Sequence, residues 1–507
     1  MSSKILSAAV VGLNAEIVEV EADTGPGQLG SFAIVGLPDM AVSESRERVR
    51  LAIKNSGFKF PQRKVTVNLA PADLKKQGPS YDLPIAISIL YATNRIIIKG
   101  DLEKMLFAGE LALNGEVRSI NGILSIALDA VKKGIKILFV PSVNAVEAKL
   151  AGDIEIIPVN NLGELVAHLQ GMQAINPVKE EKINFSNAAP TLSDMAHVRG
   201  QEHVKRAMEI AAAGAHNILM IGPPGSGKTL IARAFSSILP DLTLEEALEL
   251  TKIYSVAGKL TNGESLVRSR PFRSPHHTAS GVALVGGGAW PRPGEISLAH
   301  RGVLFLDEFG EFPRACLENL RQPLEDGVIH VSRAAANLNF PAKFILIAAM
   351  NPCPCGYYGD NEKNCICSTN QILGYKKKIS GPILDRIDLH IEVPRIKFEK
   401  LTSQTASEDS ESIKKRVEKA RAIQAQRFNK TSYITNSEMS SETVKQFCEL
   451  DNTSLNLLKN AVNQMHLSAR GYFRILKLAR TIADLGKSDK ITLDHVAEAL
   501  QFRAKAE

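Results

Sequence analysis

The stretch HNILMIGPPGSGKTLIARAFSSI, residues 216–238, decides the fold. An apolar run reads as a buried strand, eight residues of turn chemistry follow, and a helical pattern opens directly after them. The eight are Gly222, Pro223, Pro224, Gly225, Ser226, Gly227, Lys228 and Thr229, a full match to G-x-x-x-x-G-K-[ST]. The glycines let backbone N–H groups close around phosphate oxygens, and the helix N-terminus adds a favourable dipole. Lys228 is then placed for β- and γ-phosphates, and Thr229 for Mg²⁺. A glycine-rich turn arising by chance would lack the strand before it and the helix after it.

Two further apolar runs end in polar groups. VLFLDE, residues 303–308, is a buried strand tipped by two carboxylates. Asp307 suits Mg²⁺ held through water, and Glu308 suits polarising an attacking water. FILIAAMN, residues 344–351, ends in an amide that could orient that water; read alone, Asn351 is equally a turn residue before Pro352.

Working outward, strand-like and helical runs alternate over 198–394, as in an α/β sheet. Residues 1–170 read as a compact α+β unit with strands at VTVNLA, KILFV and IEIIPV, and 171–195 as a polar linker. The ATPase core is expected over 196–400. After the polar stretch LTSQTASEDSE, residues 401–507 read as helical, with helices expected at 412–428, 440–465, 469–485 and 493–504.

The 507 residues are 44% hydrophobic and 23% charged, which excludes wholesale disorder, a collagen-like fibre and a disulfide scaffold. The longest apolar run, residues 83–92, contains Pro84 and is too short for a membrane span. The start, MSSKILSAAVVGLNAEIVEV, reads as a strand and not a signal peptide, so a cytoplasmic protein is expected. Residues 1–180 carry 19 basic and 19 acidic side chains, and 181–507 carry 42 and 35; the whole excess of +7 lies in the second part. That asymmetry is compatible with a polyanion partner.

Four of the six cysteines crowd into 15 positions as C-x-C-x₉-C-x-C: Cys353, Cys355, Cys365 and Cys367. Two short arms of thiolates suit a closed, tetrahedral, structural Zn²⁺ site. Unligated thiols in a redox-sensitive loop are the competing reading.

The segment 270–300, RPFRSPHHTASGVALVGGGAWPRPGEISLAH, is rich in glycine and proline and holds Arg273, His276, His277, Trp290 and Arg292. Its three consecutive glycines suggest a bending loop between strand-like flanks. A hairpin is expected over 325–344, with Arg333 and Asn337 near its tip, where they could follow a phosphate backbone. Taken by themselves, both features could equally be structural hairpins with solvated arginines.

The stretches GPPGSGKT, FRSPHHTAS, GEISLAHRGVLFLDEF, NPCPCGYYGD, ISGPILDRIDLHIEV and SARGYFRILKLARTIADL resemble, in order and over nearly the whole chain, the magnesium-chelatase-like ComM/YifB family of AAA+ ATPases. The resemblance implies an AAA+ P-loop core, an N-terminal Lon-protease-like domain and a C-terminal helical lid. It implies that Asn351 is sensor 1, that Arg386 is an arginine finger reaching a neighbour's γ-phosphate, and that Arg470, or failing it Arg474, is sensor 2. It further implies a homo-hexamer that binds ATP and Mg²⁺ and contacts DNA through hairpins projecting into its pore, with Arg273, Trp290, Arg292, Arg333 and Asn337 as the DNA-binding residues.

In the Lon-like region Ser80 falls where a nucleophile would stand, but Leu124 occupies the lysine position and cannot take a proton. Peptidase activity is therefore not expected. The function expected is an ATP-driven DNA motor, a helicase or branch-migration enzyme of natural transformation and recombination. A chelatase-type motor remodelling a protein partner is the alternative.

Overall fold

The computed structural model describes residues 3–26, 30–37, 39–179, 193–260, 264–288, 291–333, 336–360, 362–395 and 407–503; the side chains of residues 332–336 are outside the description. Trp290 and parts of both expected linkers lie outside the described residues.

The central region is a five-stranded, wholly parallel sheet in the order Phe272–Arg273, Val303–Leu306, Ile345–Met350, Ile218–Ile221, Leu389–Glu392. Parallel strands are covered on both faces and so read as unbroken apolar runs. Successive side chains here divide between two cores. Ile218, Met220, Phe305, Ile347 and Ile391 enter one, with the helix Glu202–Gly214 and the C-terminal helices. Leu219, Leu304, Leu306, Leu346 and Ala348 enter the other, with Phe309, Leu317 and Phe340. Because the strands share one direction, everything that follows their carboxyl ends gathers on one edge of the sheet. Everything that precedes them gathers on the opposite edge.

The N-terminal region builds a seven-stranded mixed sheet in which Ser3–Val11 and Asn14–Gly25 form a long antiparallel pair at its centre. The turn between them, Val11-Gly12-Leu13, reaches the central region: a Cβ on Gly12 would stand 3.1 Å from Leu338, and Val11 and Leu13 join the second core there. A second joint lies on the helix Leu244–Ala257, where Ser255 Oγ donates to Glu147 (2.5 Å) and accepts from the Gly122 amide (3.0 Å). Burial pushes the Glu147 carboxyl above its ordinary value.

The C-terminal helices are Ser410–Arg427, Ser441–Phe447, Asn452–Gln464, Ala469–Leu485 and Leu493–Gln501. The single helix expected over 440–465 is two. Asp451 takes extended backbone and its carboxylate accepts the Ser454 amide at 2.8 Å, starting a second helix where the apolar period alone ran on. Among the described residues no helix is long and apolar enough to cross a membrane.

Candidate active site

Three of the parallel strands end at one place. The strand Ile218–Ile221 runs into the phosphate-binding loop, and Gly227, at φ +88, caps the helix Lys228–Phe235. Its neighbours Val303–Leu306 and Ile345–Met350 deliver Asp307, Glu308 and Asn351 to the same edge. Thr229 Oγ1 donates to Asp307 Oδ2 at 2.8 Å, so the two expected Mg²⁺ ligands already touch. Lys228 Nζ donates to the carbonyls of Gly222 (2.7 Å) and Pro223 (2.9 Å) and lies 3.4 Å from Asn351 Oδ1. Burial holds its ammonium below the ordinary value. Ser226 Oγ is buried with no hydrogen-bond partner. A buried orphan hydroxyl beside a lysine bonded to loop carbonyls is chemistry that fits a phosphate chain, and the hydroxyl–carboxylate pair fits Mg²⁺.

Glu308 has a left-handed backbone, φ +52, which an L side chain adopts only when its surroundings impose it. Its carboxylate lies 2.9 Å from His277 Nδ1. The His277 ring is fixed in turn by His276, at 4.1 Å between centroids, and by the edge of Phe312. The sequence pattern of segment 270–300 does not announce this contact. The contact joins residues 31 apart in different elements, and the two polar histidines beside a proline were its one local sign.

The arginines stand on the opposite edge. Arg386 precedes the strand Leu389–Glu392, where Ile218 pairs with Leu389. It is buried, donates to the Pro382 carbonyl (2.6 Å), and is paired with Glu325, while its Nε has no partner. Arg470 takes the other oxygen of the same Glu325 at 2.6 Å and remains 55% exposed. Arg386 therefore does not pair with Asp385 or Asp388, its neighbours in sequence. Arg474 is committed elsewhere: it pairs with buried Asp388 and donates to the Arg386 carbonyl at 2.7 Å. Asp388 also accepts the Asn217 amide (3.0 Å) and lies 3.5 Å from His216. Although burial opposes ionisation, Arg474 and these partners hold its carboxyl far below the usual range.

The residues expected at nucleic acid divide. Arg273 is not free: its guanidinium makes a two-point pair with Glu295 (2.6 and 2.7 Å). Arg292 is exposed on a two-strand ribbon in which Gly286 pairs with Pro293 and Gly287 with Arg292. The second hairpin pairs Val328–Arg333 with Ala336–Pro341. Arg333 is the last paired residue before its tip, and Asn337 is exposed opposite Ser332.

The four cysteines converge. Cys353 Sγ lies 3.4 Å from Cys355 Sγ and 3.6 Å from Cys365 Sγ, Cys355 and Cys365 are 3.6 Å apart, and all four sulfurs fall within 4.8 Å of one another. A zinc tetrathiolate with bonds of about 2.3 Å has sulfur–sulfur edges of about 3.8 Å, so the donor set fits the ion. The backbone amide of Tyr357 pulls the Cys355 thiol down to about 6.

In the N-terminal region Leu124 is fully buried within the helix Ile123–Lys132, and Ser80 lies in the short turn Pro79–Tyr81. The aliphatic Leu124 side chain has no atom that could accept a proton from a serine.

A parallel sheet with a phosphate-binding loop, an acid-tipped neighbouring strand and a helical C-terminal lid defines an AAA+ P-loop fold of the magnesium-chelatase class. Family models agree: residues 194–401 match "Magnesium chelatase, subunit ChlI", 18–144 match "Subunit ChlI of Mg-chelatase", and 407–503 match "Magnesium chelatase, subunit ChlI C-terminal". The chain is 45% identical over 501 residues to the uncharacterized protein YifB of Escherichia coli, covering 98% of this chain and 96% of that one. It is 43% identical over 505 residues to the competence protein ComM of Haemophilus influenzae, covering 99% and 97%. A Lon protease of Rhizobium meliloti is 29% identical over 165 residues, 30% of this chain and 20% of its own, in keeping with a Lon-like N-terminal region. The chain belongs to the ComM/YifB family of magnesium-chelatase-like AAA+ proteins.

Proposed function

We propose that this chain is an ATPase that works as a ring, a homo-hexamer, and moves along DNA in natural transformation and homologous recombination. The observation that carries the reading is the division of charge between the two edges of the sheet. Lys228, Thr229, Asp307, Glu308 and Asn351 follow the carboxyl ends of their strands, whereas Arg386 precedes an amino end. The strand between them spans about 10 Å, so the finger of one chain faces away from its own phosphate loop. A head-to-tail neighbour brings opposite edges together, and repeating that contact closes a ring. Arg386 shares the one carboxylate of Glu325 with Arg470, which leaves positive charge that such a neighbour's phosphates could offset. Of the two sensor 2 candidates, Arg470 is the one with an exposed guanidinium.

In this reading Thr229 and Asp307 would hold Mg²⁺, whose charge would offset that of the phosphates. Lys228 leaves the loop carbonyls for the β- and γ-phosphates, Glu308 accepts a proton from the attacking water, and Asn351 orients that water. Arg386 and Arg470 of the neighbour supply positive charge where negative charge develops. The cysteine cluster takes structural zinc, as expected of thiols in the reducing cytoplasm.

Arg292 and the hairpin bearing Arg333 and Asn337 are the proposed DNA contacts, sequence-independent and phosphate-directed. The name of the Haemophilus relative, a competence protein, supports transformation as the setting. Branch migration is the activity this assigns.

ATPase activity measured with and without duplex and single-stranded DNA, at low and moderate salt, tests the proposal. DNA should stimulate hydrolysis, and both added salt and Arg333→Ala should weaken the stimulation. Hydrolysis indifferent to every DNA form would overturn the DNA reading in favour of a motor that remodels a protein partner.

A further inference from the structure

We propose that zinc in the Cys353, Cys355, Cys365, Cys367 cluster fixes the wall of the nucleotide pocket, so that metal occupancy sets nucleotide affinity. The inference rests on the zinc reading above and extends it from a structural ion to a control on the ATP site.

The loop begins where the site ends: Cys353 is two residues beyond Asn351 and fully buried. At Gly356, φ +85, the chain crosses directly over the phosphate-binding loop. A Cβ there would stand 2.6 Å from Pro224 Cδ and 3.8 Å from Asn351 Cγ, so the approach is one that glycine alone permits. A second tie runs through Arg395. It pairs with Asp360 at 2.8 Å and lies over the Tyr357 ring at 5.4 Å. The residue before it, Pro394, shares the Gln201 side-chain amide with Ser226 of the phosphate loop, each carbonyl accepting at 3.1 Å. The cysteine loop thus presses on the phosphate loop at Pro224 and is tied to it again near Ser226.

Among the described residues from 351 to 367 there is no helix or strand. The loop's backbone–backbone contacts are the short turns Gly356 N to Cys353 O (3.0 Å) and Asp360 N to Tyr357 O (3.1 Å). Two further amides turn to sulfur, Cys355 N to Cys367 Sγ (3.4 Å) and Tyr358 N to Cys353 Sγ (3.3 Å), as they would for metal-bound thiolates. A tetrathiolate ion joins the two arms of such a loop at a single point and supplies the restraint that its backbone lacks. Without the ion the four thiols have no shared partner, and weak contacts such as that of the Cys355 amide with Cys367 Sγ are left to hold the arms together. Gly356 would then lift from Pro224, and Asn351 and the loop amides would no longer be held for phosphate.

The test uses the full chain. Metal content is measured by elemental analysis, and Co²⁺ substitution is read by tetrahedral thiolate absorption. Affinity for a fluorescent ADP is then titrated, with excess Mg²⁺, on protein as isolated, after a zinc-selective chelator, and after zinc is restored. The expected results are one zinc per chain, roughly tenfold weaker ADP binding after chelation, and recovery with zinc. Gly356→Ala should weaken ADP binding while retaining zinc, which separates the contact from the metal and does not depend on a cysteine variant folding. Absence of stoichiometric metal and of the cobalt signature would overturn the zinc reading itself. Zinc present, with ADP affinity unchanged by its removal, would leave that reading standing and overturn the coupling.

Discussion

The two edges of the five-stranded sheet carry the same kinds of side chain in opposite states. At the carboxyl edge, Glu308 is 56% exposed and held by a histidine, Lys228 turns back on loop carbonyls, and Ser226 Oγ is unpartnered. At the amino edge, Arg474 is matched with Asp388, Arg270 with Glu246, and Lys343 with Glu438, mostly out of water. One edge is built to receive charge and the other is already neutralised. Arg386 and Arg470 stand apart at that edge: two cations share Glu325, which leaves a net positive group there. Such an excess costs stability in an isolated chain and becomes useful when a neighbour's phosphates arrive.

The largest effect is expected from exchanging the two edges between chains. Arg386→Ala should lower ATP hydrolysis by about 10³-fold, and Lys228→Ala should abolish nucleotide binding. A mixture of the two variants should recover part of the activity, because one chain supplies an intact phosphate loop and its neighbour an intact arginine. Steady-state hydrolysis across mixing ratios reads this out, and a flat line at the level of the single variants would exclude a shared site.

A smaller effect sharpens the contrast at the neutral edge. Asp388→Asn leaves Arg474 buried without its counter-charge and should destabilise the chain by about 3 kcal/mol in chemical denaturation. The pH sign follows from the depressed carboxyl. Its native pKa lies below the unfolded value near 3.9, so the stabilisation is complete above about pH 4 and drains away as pH falls toward the native value. The gap between wild type and Asp388→Asn should therefore be constant from neutral pH down to about 4 and narrow below it.

The smallest effect belongs to the receiving edge. His277→Ala removes the group that holds Glu308 and should lower kcat about tenfold with KM for ATP nearly unchanged. His277→Asn, which still offers a donor, should restore part of it. Loss of KM and kcat together would mark His277 as structural support for the segment and not as a positioning residue.

Much of the receiving edge was legible because its parts are local. A strand, a turn and a helix occupy consecutive residues at 216–238, and an apolar run ending in Asp307-Glu308 announces its own burial and its own tip. The neutral edge was far less legible. Glu325 gathers Arg386 and Arg470 from 61 and 145 residues away, a meeting that no local pattern encodes. Nor can a sequence say which arginines are already paired, as Arg273 is with Glu295. The helix expected over 440–465 broke at Asp451 because a capping carboxylate outweighed a continuing apolar period.

The joint between the N-terminal sheet and the ATPase region bears on how the protein can be handled. Leu338 on the hairpin is covered by the Gly12 turn, and Ser255 shares a buried carboxylate with residues 122–147. A chain trimmed to its ATPase core would present that leucine and the bare flank of the helix Leu244–Ala257 to water. Such a fragment would invite self-association at the hairpin proposed to grip DNA. Sluggish or aggregated behaviour of the isolated core would then speak of a missing cover and say little about the motor.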